Sequence, residues 1–402
     1  MTRWGLILGV LGAAACSDVE PEVGSDGQDG SGSGSGSTSS PGETDVQDGP
    51  IPDGTGETGA MTTTPADEGT STDGATTDGE DTTTTGEPLG PFEACFDGQF
   101  VNEPPFPDYD QYMPEIGSHC VGTNHQDITG VERVVFLGDS ITVGSRPTLP
   151  GQSYRAVLAD ALRDQFGLSY GNALDENLWK APDPFSGETI QQNAGDFSSC
   201  ARWGARNDDL PVMVGNQLED CFPDDVLDAT TLVVMTSGGN DVSSLAQDAI
   251  AGVPAADLMV EAQQVIDYGR EAVEWLTAPG RFPNGVFVVY ANIYEFTDGT
   301  ADVMSCDVSG LAGFEEPVPN PEELTDLIMW MNEQYMSIAV DTNTDMLFLL
   351  ETFCGHGFGN DDPESPCYRG PDTPRWFDLT CIHPNPTGHG VVADNFLSII
   401  NE

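Results

Sequence analysis

The chain has 402 residues, of which 67 are acidic and only 12 are lysine or arginine, so its formal net charge is −55 at pH 7. This charge argues against nucleic acid as a partner and against docking on anionic membrane surfaces, because both would repel the protein. No Cys-x-x-Cys pair and no EF-hand spacing occur in the chain, so we predict no metal site.

The N-terminus is predicted to be an export signal. Residues 1–15 hold one arginine and then an apolar, small-residue run that is too short to remain as a membrane-spanning helix. The small residues before Cys16 resemble a bacterial lipoprotein cleavage site, which implies that Cys16 becomes lipidated and forms the only membrane attachment. The alternative is an ordinary signal peptide, cleaved near Ala15 to release a soluble protein.

Residues 16–90 are predicted to be a disordered tether, because they consist mainly of Ser, Gly, Thr and acidic residues and contain almost nothing to bury. Residues 17–90 alone hold 17 acidic side chains and no lysine or arginine. The rest of the chain is long enough for one large α/β domain with a core. We expect residues 91–130 to be an N-terminal extension that packs on the core, and residues 131–402 to form the main domain.

The main domain alternates between predicted strands and helices. The apolar run before Gly138 predicts a buried parallel strand, and Gly138 permits a sharp turn after it. Further strands are predicted within 230–241, 285–294 and 345–350, and helices over 255–277, from 321 to about 340, and from 387 to 400. This alternation predicts a three-layer α/β/α domain with a central parallel sheet and helices on both faces.

Apart from Cys16, the chain has an even number of cysteines, eight, which is typical of disulfides in an exported protein. Proximity along the chain favours the pairs Cys95–Cys120 and Cys200–Cys221.

Four short segments carry groups suited to nucleophilic catalysis. Ser140 follows the first predicted strand, where reacting groups collect in open α/β sheets. Gly204 lies in Ala-Arg-Trp-Gly-Ala, Asn240 in Gly-Gly-Asn-Asp after another strand, and His383 in Cys-Ile-His-Pro-Asn near the end. This order resembles the SGNH/GDSL hydrolase superfamily over about residues 130–402.

The resemblance implies a flavodoxin-like fold and a role for each of these residues. Ser140 would be the nucleophile and His383 its general base, since a serine hydroxyl is a poor nucleophile until a base takes its proton. The backbone N–H groups of Ser140 and Gly204 and the side-chain amide of Asn240 would form the oxyanion hole. Gly195 is the alternative to Gly204. No metal or organic cofactor is implied.

The chain departs from the family pattern at the third catalytic position. The family has an aspartate three residues before the histidine, whereas Thr380 stands there and Asp378 lies five residues before His383. Either Asp378 reaches Nδ1 of His383 and completes a Ser-His-Asp triad, or Thr380 or a backbone carbonyl orients the imidazole and leaves a Ser-His dyad.

The resemblance implies a serine ester hydrolase of the lipase or esterase kind that acts through an acyl-enzyme on lipid or acylated carbohydrate esters. The predicted export signal and the even number of cysteines make it an extracellular one. A carbohydrate O-deacetylase is the enzymatic alternative. A catalytically silent surface binding protein is the other, and Thr380 is the residue that favours it. We expect a monomer, located in the periplasm or on the outer surface as a membrane-anchored lipoprotein, or secreted.

Overall fold

The computed structural model of the protein describes residues 88–211, 213 and 215–402. The strands in this part of the chain are β1 (Arg133–Gly138), β2 (Asn193–Ala194), β3 (Phe197–Ser199), β4 (Thr231–Thr236), β5 (Val286–Ala291) and β6 (Asp345–Leu347). They form one sheet in the order β2-β3-β1-β4-β5-β6. The pairs from β3 to β6 are parallel, and β2 is antiparallel to β3. Every residue of β1 is buried, as expected for a central strand covered on both faces.

Helices connect the strands and cover the sheet. They are α1 (Pro91–Phe96), α2 (Ser140–Val143), α3 (Tyr154–Phe166), α4 (Ala173–Lys180), α5 (Gln217–Cys221), α6 (Gly239–Ala251), α7 (Ala255–Leu276), α8 (Pro321–Thr342), α9 (Leu349–Phe353) and α10 (Pro386–Ile400). Helix α3 packs against α10, and α7 packs against α6 and α8. The predicted three-layer α/β/α fold is confirmed.

The structure differs from the predicted elements at two places. The sheet is not wholly parallel, because β2 and β3 form a short antiparallel hairpin at one edge. The strand predicted over 345–350 ends at Leu347, and α9 begins two residues later. The side-chain carbonyl of Asn292 accepts hydrogen bonds from the N–H groups of Leu349 and Leu350, at 2.6 and 2.9 Å, and so holds the first turn of this helix.

The turn after β1 requires glycine. Gly138 has a φ of +127°, and a Cβ atom there would lie 1.8 Å from the carbonyl oxygen of Thr236 on β4. The buried side chain of Gln217 holds the same residue from α5. Its Nε2 donates to the Gly138 carbonyl at 2.9 Å, and its Oε1 accepts from the Gly138 N–H at 2.7 Å. The backbone that leads to residue 140 is therefore fixed from both sides.

Four disulfides join the eight cysteines of the described residues. The predicted pairs Cys95–Cys120 and Cys200–Cys221 are confirmed. The other two are Cys306–Cys381 and Cys354–Cys367. Disulfides in this number are typical of exported proteins.

Residues 91–130 contribute side chains to the same core as the sheet. The ring of Tyr109 stacks on Phe348 with a centroid separation of 5.6 Å, and Phe92 packs edge-on against both. The hydroxyl oxygen of Tyr109 accepts a hydrogen bond from Nδ2 of Asn292 at 2.7 Å. This segment therefore contacts Asn292, the residue whose side chain holds the first turn of α9.

The predicted export signal, the predicted lipidation at Cys16 and nearly all of the predicted tether lie outside the described residues. None of the helices in the described part of the chain combines the length and the apolar character needed to span a bilayer.

Candidate active site

Ser140 lies at the carboxyl end of β1, in the middle of the sheet. Asp139 precedes it as the N-cap of α2, and its Oδ1 accepts from the Ile141 N–H at 3.0 Å. Since β1 is flanked by β3 and β4, Ser140 occupies a central position at the edge formed by the carboxyl ends of the parallel strands. Ligands and reacting groups of open α/β sheets collect at such an edge. Ser140 is buried except for 9% of its surface and lines a pocket.

His383 lies directly against Ser140. Its Nε2 is 2.8 Å from Oγ of Ser140, which is hydrogen-bond distance. The loop that carries it is closed by an isolated β-bridge between Phe377 and Pro384. The disulfide between Cys306 and Cys381 ties this loop to the segment that follows β5.

Burial of the imidazole lowers the pKa of His383 below its ordinary value, and the negative charge of Asp378 opposes part of this shift. The imidazole is therefore neutral at neutral pH, and it is able to accept a proton from the Ser140 hydroxyl.

The carboxylate of Asp378 makes no direct hydrogen bond to the imidazole of His383. The hydroxyl of Thr380 lies between them, 2.8 Å from Nδ1 of His383 and 2.6 Å from Oδ1 of Asp378. The structure thus brings both predicted candidates for the third position to the histidine, one behind the other.

The remaining histidines make contacts elsewhere. His389 lies on α10 and accepts from the Tyr154 N–H at 3.2 Å, and its burial lowers its pKa to about 3. His356 stacks on Trp376 at a centroid distance of 3.3 Å, and its burial lowers its pKa to about 4. His119 and His125 pair with Glu402 and with the Thr344 carbonyl.

Asn240 is the second residue of α6 and lines the same pocket as Ser140 and His383. Its Nδ2 donates to the Ala205 carbonyl at 2.8 Å, which fixes the orientation of the amide. One N–H of this amide group stays available for a ligand, since a primary amide carries two.

Gly204 belongs to the loop after β3, at the same edge of the sheet as Ser140. Two hydrogen bonds tie this loop to the turn around Ser140: Arg202 N donates to Gly138 O, and Trp203 Nε1 donates to Gly144 O, both at 3.1 Å. Gly195 lies in the β2–β3 turn, beside the residue whose carbonyl pairs with the start of β1. It therefore lies at the opposite edge and is not near Ser140.

Sequence reasoning missed the residues that support this arrangement. Gln217 holds the turn before Ser140 through hydrogen bonds to both the N–H and the carbonyl of Gly138. Asn207 joins the two loops of the predicted oxyanion hole: its N–H donates to Oδ2 of Asp241 at 3.1 Å, and its Oδ1 accepts from Ser237 Oγ at 2.7 Å. Both are polar residues in loops or short helices, and only their long-range contacts distinguish them.

The pocket beside Ser140 is largely apolar. Its empty volume is about 720 Å³, including its open mouth. The polar lining residues are Asp139, Ser140, Asn240, Ser243, Glu295, Thr297 and His383. The apolar lining residues are Ile141, Val242, Ala246, Tyr294, Phe296, Ala301, Val303, Phe314, Leu324, Ile328, Phe377 and Ile382. In the described residues, no group of three or more His, Cys, Asp or Glu side chains is placed to hold a metal ion.

Several solved structures resemble the chain. A lipolytic protein of the G-D-S-L family from Veillonella parvula DSM 2008 is 13% identical over 67% of this chain and 98% of its own, with a TM-score of 0.36. An extracellular lipase from Streptomyces rimosus is 18% identical over 67% and 99%, with a TM-score of 0.38. An acetyl xylan esterase is 19% identical over 66% and 98%, with a TM-score of 0.36. Such distant likenesses carry no information about the substrate.

A search of curated proteins finds no match to the chain. The model of the GDSL-like lipase/acylhydrolase family matches residues 136–391, which is well over half of the chain. The match begins within β1 and ends within α10, so it includes Ser140, Asn240 and His383. The chain belongs to the GDSL-like lipase/acylhydrolase family and is a carboxylic ester hydrolase.

Proposed function

We propose that this protein hydrolyses esters with apolar acyl chains through a covalent acyl-enzyme on Ser140. The observation that carries the proposal is the 2.8 Å contact between Oγ of Ser140 and Nε2 of His383 in the lining of an apolar pocket. A nucleophile and a base within hydrogen-bond distance are the core of serine hydrolysis.

In the proposed mechanism, Oγ of Ser140 attacks the ester carbonyl while Nε2 of His383 takes the hydroxyl proton. The tetrahedral intermediate collapses, the C–O bond to the alcohol breaks, and His383 gives its proton to the departing alcohol. A water molecule then attacks the acyl-enzyme with His383 again as the base, which releases the acid and restores Ser140.

Three donors are proposed to stabilise the oxyanion of each tetrahedral intermediate: the backbone N–H groups of Ser140 and Gly204 and Nδ2 of Asn240. The support is positional. Asn240 lines the pocket with Ser140, and the Gly204 loop is hydrogen-bonded to the turn on which Ser140 lies. Donors already aimed at the oxyanion need no reorganisation when the charge develops.

Replacing Asn240 by alanine is expected to lower kcat by about 10²- to 10³-fold, because one preorganised donor to the oxyanion is lost. Steady-state kinetics on a p-nitrophenyl ester measure the effect, with KM changing much less than kcat. The control is Asn177→Ala on α4, where the amide only donates to the Ala173 carbonyl of its own helix. A loss in Asn240→Ala no larger than in this control contradicts the assignment.

The acyl chain is proposed to lie in the apolar pocket. Val242 and Ala246 on α6 line this space together with Leu324 and Ile328 on α8, and Phe377 and Ile382 come from the loop of His383. An acetyl group leaves most of such a wall uncovered, whereas a longer chain removes apolar surface from water at about 25 cal/mol per Å². This favours lipid-like esters over acetylated carbohydrates.

The proposal is tested with p-nitrophenyl esters from acetate to palmitate and with a fluorophosphonate whose site of attachment is mapped by mass spectrometry. We expect kcat/KM to rise from acetate to longer chains and the label to sit on Ser140. A maximum at acetate points to the deacetylase. A folded protein that neither turns over any ester nor takes the label is the silent binding protein.

Filling the pocket is expected to shorten the preferred acyl chain. Ala246→Phe places an aromatic ring in the wall and is expected to lower kcat/KM on palmitate by about 10- to 200-fold, with a smaller loss on acetate. The same substitution at Ala251, an exposed residue at the end of α6, is the control. Parallel losses on both esters in Ala246→Phe contradict the assignment of this pocket to the acyl chain.

A further inference from the structure

Thr380 occupies the position between Asp378 and His383, and its hydroxyl contacts both. We propose that Asp378 orients His383 through this hydroxyl, so that the two residues act in series as one positioning relay. The inference rests on the proposed function, because it assigns the support of its general base. It differs from both a direct triad and a dyad, since each of these gives the task to one of the two residues alone.

The chemistry of the groups fixes the direction of every hydrogen bond in the relay. An ionised carboxylate only accepts, so the Thr380 hydroxyl donates its proton to Oδ1 of Asp378. The hydroxyl oxygen is then left to accept from Nδ1–H of His383. With the proton on Nδ1, Nε2 carries the lone pair that accepts from Oγ–H of Ser140. The relay thus selects the tautomer that a general base needs.

Two further hydrogen bonds, both from backbone N–H groups, hold the loop that carries Thr380. The N–H of Thr380 also donates to Oδ1 of Asp378, at 2.7 Å, and the N–H of Asp378 donates to the His383 carbonyl at 2.9 Å. These two bonds close the segment on itself. They explain how an aspartate five residues before the histidine serves where the family has one three residues before it.

The second carboxylate oxygen of Asp378, Oδ2, is buried and has no hydrogen-bond partner among the described residues. An unpaired oxygen of a buried carboxylate destabilises the folded protein. The buried charge of Asp378 acts on the imidazole of His383 with little screening by solvent, and it favours the protonated ring. When His383 holds the serine proton, the carboxylate polarises the hydroxyl that accepts from Nδ1–H.

A double-mutant cycle tests the relay in the full chain. Thr380→Val keeps the shape and removes the hydroxyl, and Asp378→Asn removes the charge. We expect each to lower kcat by about 10²- to 10⁴-fold with little change in KM, and the double variant to be no worse than the more impaired single variant. Thr380→Ser, which keeps the hydroxyl, is expected to restore kcat to within about tenfold of the wild type.

The control for a threonine-to-valine change is Thr373→Val, since that hydroxyl only donates to the Gly370 carbonyl. Losses that multiply in the double variant overturn the relay, because they show two independent effects. A Thr380→Val enzyme whose kcat lies within about threefold of the wild-type value also overturns the relay. A wild type without esterase activity contradicts the proposed function instead, and the two failures are thereby distinguished.

A relocated carboxylate decides the question if Thr380→Val does not fold. The variant with Asp378→Ala and Thr380→Asp puts the acid where the hydroxyl now meets Nδ1. We expect it to exceed Asp378→Ala alone by about tenfold or more in kcat, because the imidazole regains an acceptor that holds its tautomer. A relocated variant no faster than Asp378→Ala overturns the relay.

Discussion

Replacing Ser140 by alanine is expected to lower kcat on p-nitrophenyl esters by about 10⁶-fold, the loss typical of a serine hydrolase without its nucleophile. In the proposed mechanism the hydroxyl oxygen of Ser140 forms the acyl-enzyme, and a methyl group leaves His383 with no proton to take. The fold is expected to persist, because the turn around Ser140 is held by Gly138 and Gln217 and not by the serine side chain.

Kinetics and fluorophosphonate labelling both measure this prediction. Ser398→Ala on α10 is the matched control, since that hydroxyl donates to the Asp394 carbonyl of its own helix. A Ser140→Ala protein that keeps a tenth of the wild-type kcat, or about that, means that the nucleophile is another group.

His383→Ala is expected to cost nearly as much as the serine variant, about 10⁶-fold in kcat, because a serine without its base is a weak nucleophile. The proposed mechanism makes the two residues act as one unit through the 2.8 Å contact between them. The double variant with Ser140→Ala and His383→Ala is therefore expected to be no slower than either single variant. The activity that remains is expected to come from substrate binding and the proposed oxyanion donors.

Activity at neutral pH measures this effect, since the lowered pKa of His383 keeps the wild-type imidazole neutral there. His119→Ala is the control, because this exposed histidine pairs with Glu402 at the chain terminus. If His383→Ala and His119→Ala lose the same small amount of activity, His383 is not the base.

The turn that carries Ser140 could be predicted because the signals for it are local in the sequence. Four apolar residues before Gly138 predict a buried strand, and the steric conflict of any side chain at Gly138 with Thr236 is the physical reason for the glycine. Ser140 then follows at the strand end. The resemblance to the SGNH/GDSL hydrolase superfamily, carried by the order of four short segments, selects Asn240 and His383 as well, and both line the pocket of Ser140.

The support of the histidine could not be predicted in the same way. Counting residues back from His383 separates Thr380 from Asp378, but the shape of the loop decides which of them meets Nδ1. That shape depends on the bridge between Phe377 and Pro384 and on a disulfide to Cys306, both of which join residues that the local sequence does not connect. The sequence leaves Asp378 and Thr380 as alternatives, whereas in the structure the Thr380 hydroxyl lies between Asp378 and His383 and contacts both.

The apolar pocket was missed for a related reason. Its wall is assembled from α6, α8, the segment after β5 and the loop of His383. In the sequence, Leu324 and Ile328 on α8 have the spacing of ordinary core residues, and only the packing of four distant segments shows that they border an open space. Gln217 gave no signal either, since its partner Gly138 lies 79 residues away.

The disulfide between Cys306 and Cys381 makes the final structure of the site depend on an oxidising compartment. It joins the end of the pocket wall, close to Val303, to the loop two residues before His383. In a reducing compartment both cysteines stay as thiols, so the same loop is held only by hydrogen bonds and by the packing of Phe377 in the core. Oxidation of this cysteine pair therefore adds a covalent link between the loop of His383, the proposed base, and the segment of the pocket proposed to receive the acyl chain.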